Sequence, residues 1–255
     1  MEKDFRYSNW VIALPLFSVL LLWFVYWLEI RYDYDFVENG ILPRTFSGLQ
    51  GVIFSPFIHS DMEHLYSNSI PLLILLAALQ FFYAKQSLLV VTLGIIFSGL
   101  VTWFIGRDSY HIGASGLIYV LVSFIFLKGI LTKYYRLVAL SLAVIMFYGG
   151  MIWYVFPKVD ETISWEGHLA GMVTGFMLAI FLKIPDYEKV IKYEWEHPNY
   201  DPSQDKFMQR FDENGVFVNL PPVEIEEEMQ SYYSSNYVVN YDFIESKKNE
   251  PKPES

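Results

Sequence analysis

Six apolar runs alternate with polar segments along this 255-residue chain, at about 10–28, 65–83, 88–105, 115–127, 137–156 and 168–182, and most charged residues lie between them. Runs of this kind read as helices able to cross a hydrocarbon core about 30 Å thick at about 1.5 Å of rise per residue. The first run carries no charged residue from Trp10 to Leu28. It is longer than a signal-peptide core of about 7 to 15 residues, lacks an Ala-x-Ala cleavage pattern, and follows both acids and bases, so it is expected to be a retained first span. Pro15 and Pro71 fall inside two of the runs. Neighbouring membrane helices can satisfy the backbone groups that such prolines free. A further apolar stretch, 49–58, is interrupted by Gly51 and Pro56 and is too short to span; an interfacial loop segment is expected there.

Composition supports the membrane reading: 53% of the residues are hydrophobic and 18% aromatic, too apolar for an ordinary soluble domain of this length. The net charge of -10 is unevenly placed, because residues 1–184 carry 12 acids and 11 bases whereas 185–255 carry 16 acids and 7 bases. Two regions are therefore expected: an all-α bundle of six transmembrane helices over 1–184, and an acidic, tyrosine-rich tail over 185–255 that is partly disordered. There are no cysteines, which excludes disulfides, thiolate-bound zinc and thiol nucleophiles. Nothing forms the basic patch that nucleic-acid binding requires.

Positive charge sets the expected orientation. With the N-terminus cytoplasmic, that side receives Lys3, Arg6, Lys85, Lys128, Lys133, Arg136, Lys183, Lys189 and Lys192, against Arg31, Arg44, Arg107 and Lys158 outside. Both termini, and with them the tail, are thus expected inside a plasma or inner membrane. The second, fourth and sixth helices then start on the outer side, which brings together His64 and Asn68, the run Gly113-Ala114-Ser115-Gly116, and Gly167-His168 followed by Gly171 and Gly175. The fourth and sixth runs would cover only ~20 to 22 Å, so their starts are expected below the outer surface, lining a water-filled cavity.

Each cluster has a chemical reading and a plainer one. Ser115 stands at a helix start, where free N–H groups and the positive helix end favour an oxyanion, and Gly113 and Gly116 permit close approach. The same small residues are common where membrane helices pack. His168 is the best base for a serine; Glu166 is expected in the preceding loop, so a Ser-His dyad is favoured over a triad. The plainer reading of His168 is a packing histidine satisfied by a backbone carbonyl. His64 and Asn68, four residues apart on one helix face, suit an oxyanion hole or ordinary interhelical hydrogen bonding. Gly171 and Gly175 read as a close helix contact that would set His168 beside Ser115, with Tyr119 one turn further along.

Taken together, His-x-x-x-x-His-x-x-x-Asn from His59 to Asn68, Gly113-Ala114-Ser115-Gly116, and Gly167-His168-Leu169-Ala170-Gly171 through Gly175 resemble the rhomboid family of intramembrane serine proteases over about residues 10–184. The resemblance implies a rhomboid-like bundle with Ser115 as nucleophile and His168 as general base. It implies an oxyanion site formed by His64, Asn68 and the Ser115 N–H, with Tyr119 against the base and His59 structural. No cofactor or metal is implied, and the partners would be the lipid bilayer and membrane-protein substrates with single-span helices. Where family members often carry Trp-Arg in the first outer loop, this chain has Pro43-Arg44-Thr45. Two rival functions remain: a non-catalytic rhomboid-like protein that binds membrane clients, and a metal-binding or transport protein using His59, His64, His111 and His168. The second lacks a His-Glu-x-x-His pattern.

Overall fold

The computed structural model describes residues 5, 7–159, 162–183 and 193–218. The chain divides into two compact units, Met1–Lys189 and Val190–Ser255. The first is built from helices α1 (Trp10–Tyr32), α2 (Gly51–Phe54, a single turn), α3 (Met62–Phe82), α4 (Ala84–Ile105), α5 (Ser115–Thr132), α6 (Tyr135–Tyr148, continued by a 3-10 segment Gly149–Val155) and α7 (Trp165–Phe181). Five of these are long and apolar enough to cross a membrane: α1, α3, α4, α5, and α6 with its 3-10 extension. The sixth apolar run forms α7, whose 17 residues span about 25 Å. The 49–58 stretch folds as short helical turns and does not span.

These helices are apolar on the outside as well as within. Phe17, Leu20, Phe24 and Trp27 on α1, Leu88 and Phe104 on α4, and Phe147 on α6 are all exposed. Such surfaces suit lipid as the surrounding solvent, and with so little hydrophobic drive left between helices, close packing and polar contacts must hold the bundle. The centre is α5, whose Ile118, Val120, Leu121, Phe124 and Ile125 are fully buried. Its most extensive partner is α7, followed by α6. Glycine makes the α5–α7 contact possible. A Cβ on Gly171 would strike the Gly116 carbonyl and approach Tyr119 Cβ to 2.9 Å, and one on Gly175 would strike the Val120 carbonyl.

Three expectations require correction. The fourth helix is not short: α5 runs 18 residues to Thr132, about 27 Å, because the buried Lys128 extends it rather than ending it. Lys128 is therefore not a loop charge. It is fully buried, and its Nζ donates to the Ala179 carbonyl at 3.0 Å and to that of Leu182, groups that the end of α7 leaves unpaired. Glu166 is not in a loop but in the first turn of α7, 1% exposed.

The loop between α1 and α2 is tied down by its arginine. Arg44, at φ +56°, donates to the Gly106 carbonyl at 2.6 Å and pairs with Asp108, while Trp103 Nε1 donates to the Thr45 carbonyl at 2.8 Å. In the second unit, the described residues form 3-10 turns at Glu194–Glu196, Pro202–Gln204 and Met208–Arg210, with a bridge between Phe211 and Phe217. Partial disorder is the expectation for the whole tail, 185–255, and of that tail residues 185–192 and 219–255 lie outside the described residues.

Candidate active site

Alternate helices α3, α5 and α7 begin at one end of the bundle, and their starts differ in a telling way. Asp61 caps α3 by accepting from His64 N at 2.8 Å, and Ser164 caps α7 by accepting from Gly167 N at 3.1 Å. The residue preceding Ser115 is Ala114, which has no side-chain acceptor, so the first-turn N–H groups of α5 stay available at the positive end of the helix. Gly113 sets up this start. Its φ is +101°, its N–H donates to the Ser55 carbonyl at 2.8 Å, and a Cβ there would lie 2.6 Å from His64 Nε2 and 3.7 Å from Asn68 Nδ2. Only glycine meets both the backbone angle and the space. His64 and Asn68 are thus brought against the turn that leads into Ser115.

Asn68 is 4% exposed and spends one amide hydrogen on the His64 carbonyl at 3.0 Å, and its other has no partner among the described residues. His64 Nδ1 lies 3.2 Å from Ser60 Oγ, and Ser60 in turn donates to Asp61 at 2.7 Å. His59 is buried edge-on against His64, with ring centroids 5.0 Å apart.

His168 is 6% exposed, and its ring is fixed on two sides. Tyr119 stacks on it at 4.3 Å between centroids and 17° between planes. Its Nδ1 lies 3.0 Å from the Tyr154 carbonyl oxygen, which can only accept. The proton must therefore sit on Nδ1, leaving the Nε2 lone pair to act as a base. A backbone carbonyl here takes the orienting place that a carboxylate holds in a triad. Glu166 does not bond to the ring; its carboxylate accepts from Arg107 N at 3.2 Å and lies 3.9 Å from the Arg107 guanidinium.

Ser115 stands one residue before Gly116, whose ideal Cβ position is 3.6 Å from the Gly167 carbonyl, and one turn before Tyr119. The helix contact thus sets the serine at the level of His168. Among the described residues the Ser115 hydroxyl makes no hydrogen bond, to His168 or to any other group, so no other partner competes for its proton. A cavity of about 40 Å³ adjoins it, lined in part by Ser55, Ser98, Thr102, His111 and Ser164. That space is large enough for one or two waters, and its hydroxyls could bind them. Sequence reasoning offered a backbone carbonyl as the plainer partner of His168 but not that it belongs to Tyr154, and it missed the polar wall of this cavity.

The chain is similar to several known proteins. An uncharacterized protein of Mycobacterium bovis is 36% identical over 161 residues, 58% of this chain and 65% of its own length. One of Mycobacterium leprae is 31% identical over 157 residues, 58% of this chain and 62% of its own. A putative rhomboid protein of Acanthamoeba polyphaga mimivirus is 26% identical over 148 residues, 56% of this chain and 80% of its own length. The chain thus spans less than two thirds of the mycobacterial relatives. The Rhomboid domain model matches residues 47–184, more than half of the chain and all three helix starts, and the chain belongs to the rhomboid family.

Proposed function

We propose that this protein is an intramembrane serine endopeptidase that cleaves peptide bonds in or beside the transmembrane segments of other membrane proteins with a Ser115–His168 dyad. The observation that carries the reading is the forced tautomer of His168. With Nδ1–H committed to the Tyr154 carbonyl, the free Nε2 lone pair sits on the helix packed against the one that starts with Ser115.

As His168 Nε2 takes the hydroxyl proton, Ser115 Oγ bonds to the scissile carbonyl carbon and the carbonyl oxygen becomes an oxyanion. The Ser115 N–H, the spare Asn68 hydrogen and a hydrogen on His64 Nε2 stabilise it. His64 carries that hydrogen as an imidazolium whose Nδ1–H donates to Ser60 Oγ, or as the neutral tautomer once the Ser60 hydroxyl turns from Asp61 to donate to Nδ1. When the carbon–nitrogen bond breaks, His168 returns the proton to the leaving amine. Water from the adjoining cavity then attacks the acyl-enzyme with His168 again as base, releasing the acid and restoring Ser115. The substrate helix enters from the lipid side, locally unwound. In this reading all six helices span and both termini of the chain face the cytoplasm.

Purified wild type, Ser115→Ala and His168→Ala, tested on a transmembrane substrate in liposomes, decide the matter: cleavage by wild type alone is expected. Full cleavage by Ser115→Ala overturns the mechanism. Absence of serine-directed fluorophosphonate labelling in wild type favours a non-catalytic client binder.

A further inference from the structure

The segments that enter α5 and α7 are joined by a partly buried hydrogen bond between His111 Nδ1 and Ser164 Oγ at 2.6 Å, beside an exposed one from Arg107 Nη2 to the Ile163 carbonyl at 2.8 Å. His111 lies four residues before Ser115, and Ser164 lies four residues before His168. The His111–Ser164 bond therefore links equivalent positions upstream of the two groups that the dyad must hold in register.

Every proton in this junction can be assigned. His111 Nε2 is 3.1 Å from the Arg107 carbonyl, which only accepts, so the ring is protonated on Nε2 and bare on Nδ1. The Ser164 hydroxyl must then donate to Nδ1, and its oxygen accepts from Gly167 N at 3.1 Å as the cap of α7. Both sides of the junction are anchored further. His111 exchanges backbone hydrogen bonds with Ile41, at 3.0 and 2.9 Å, and the neighbouring Glu166 accepts from Arg107 N at 3.2 Å. His111 is 4% exposed, and burial pushes its pKa down, which favours the neutral form that this bonding requires.

We propose that His111 and Ser164 are positioning residues, a clamp that sets the distance between Ser115 and His168. The proposal rests on the dyad reading. Capping alone would need only an acceptor at 164 and would leave the bond from Ser164 to His111 Nδ1 without a function. Because reaction rates fall steeply when reacting groups shift by about 1 Å, the clamp acts on the chemical step and leaves substrate affinity nearly alone.

The test is the rate of Ser115 labelling by a fluorophosphonate, with kcat and KM on a transmembrane substrate, for full-length His111→Phe, His111→Gln, Ser164→Ala and Ser164→Thr. Glutamine offers an amide N–H and a carbonyl in place of the two ring nitrogens, and threonine keeps donor and acceptor. We expect His111→Phe and Ser164→Ala to label about tenfold or more slowly, kcat to fall in parallel and KM to stay within about twofold, with the Gln and Thr variants restoring most of the rate. Labelling that is present in wild type, abolished in Ser115→Ala and indifferent to all four substitutions overturns the clamp alone. The same holds if His111→Gln is as slow as His111→Phe. Wild type that does not label overturns the dyad and the clamp with it. Should Ser164→Ala fail to fold, the two His111 variants carry the comparison.

Discussion

Tyr119 lies flat against the His168 imidazole, 4.3 Å between centroids, while its hydroxyl donates to the Met151 carbonyl at 2.6 Å. The ring and the hydroxyl therefore make separable contributions. Tyr119→Phe keeps the stack and loses one hydrogen bond, so activity should stay within a few-fold and the melting temperature should drop by the equivalent of about 1 kcal/mol. Tyr119→Ala frees the imidazole to rotate, and kcat should fall by about tenfold to a hundredfold. Paired kinetics and thermal melts of the two variants check this, and equal losses in kcat would refute the division of roles.

Gly171 and Gly150 provide a matched pair. A methyl group on Gly171 would run into the Gly116 carbonyl, whereas one on Gly150 meets nothing within 4 Å. Since the α5–α7 contact holds Ser115 level with His168, Gly171→Ala should abolish most proteolysis, and Gly150→Ala should be silent. Cleavage assays on the two alanine variants, normalised to folded protein, read the difference directly.

Lys128 can be tested by removing its charge without its bulk. Lys128→Met fills the same space but leaves the Ala179 and Leu182 carbonyls unpaired. Each orphaned buried acceptor costs about 1 to 3 kcal/mol. Lys128→Ala adds a cavity to that cost. Melting temperatures should therefore rank wild type above Met above Ala; a methionine variant as stable as wild type would show that the carbonyls find other partners.

Acid should destabilise the fold through His59. Burial pushes its pKa down to about 4, below the ordinary 6.5. Between these values the unfolded chain binds a proton that the folded chain refuses, so stability falls as pH drops from about 6.5 to about 4, by up to about 1.4 kcal/mol per pH unit. Melts in detergent across this range should show a slope shallower by about one proton in His59→Phe than in wild type.

Much of this molecule was legible because the membrane imposes a coarse code. Long apolar runs had to become helices, and small residues at Gly171 and Gly175 had to mark a close contact. What escaped depended on neighbours that sequence does not display. Glu166 looked like a loop residue because the cap, Ser164, lies further upstream than the apolar run suggested. Lys128 looked like the end of a helix because its acceptors are backbone carbonyls more than fifty positions away. For His168 the sequence offers a backbone carbonyl as one possible partner but not its position, because the Tyr154 carbonyl belongs to a 3-10 segment and not to a side chain.

The ammonium of Lys128 also bears on how the chain is made. Its acceptors lie 51 and 54 residues downstream, so at about 5 to 20 residues per second α5 leaves the ribosome several seconds before α7 exists to receive it. Through that interval the lysine must be kept at the water boundary or sheltered by the insertion machinery, and α5 can settle to its final depth only when the last helix arrives. The two helices that hold the serine and the histidine are thereby coupled in time: on the proposed dyad, Ser115 reaches its working position only once His168 has been synthesised.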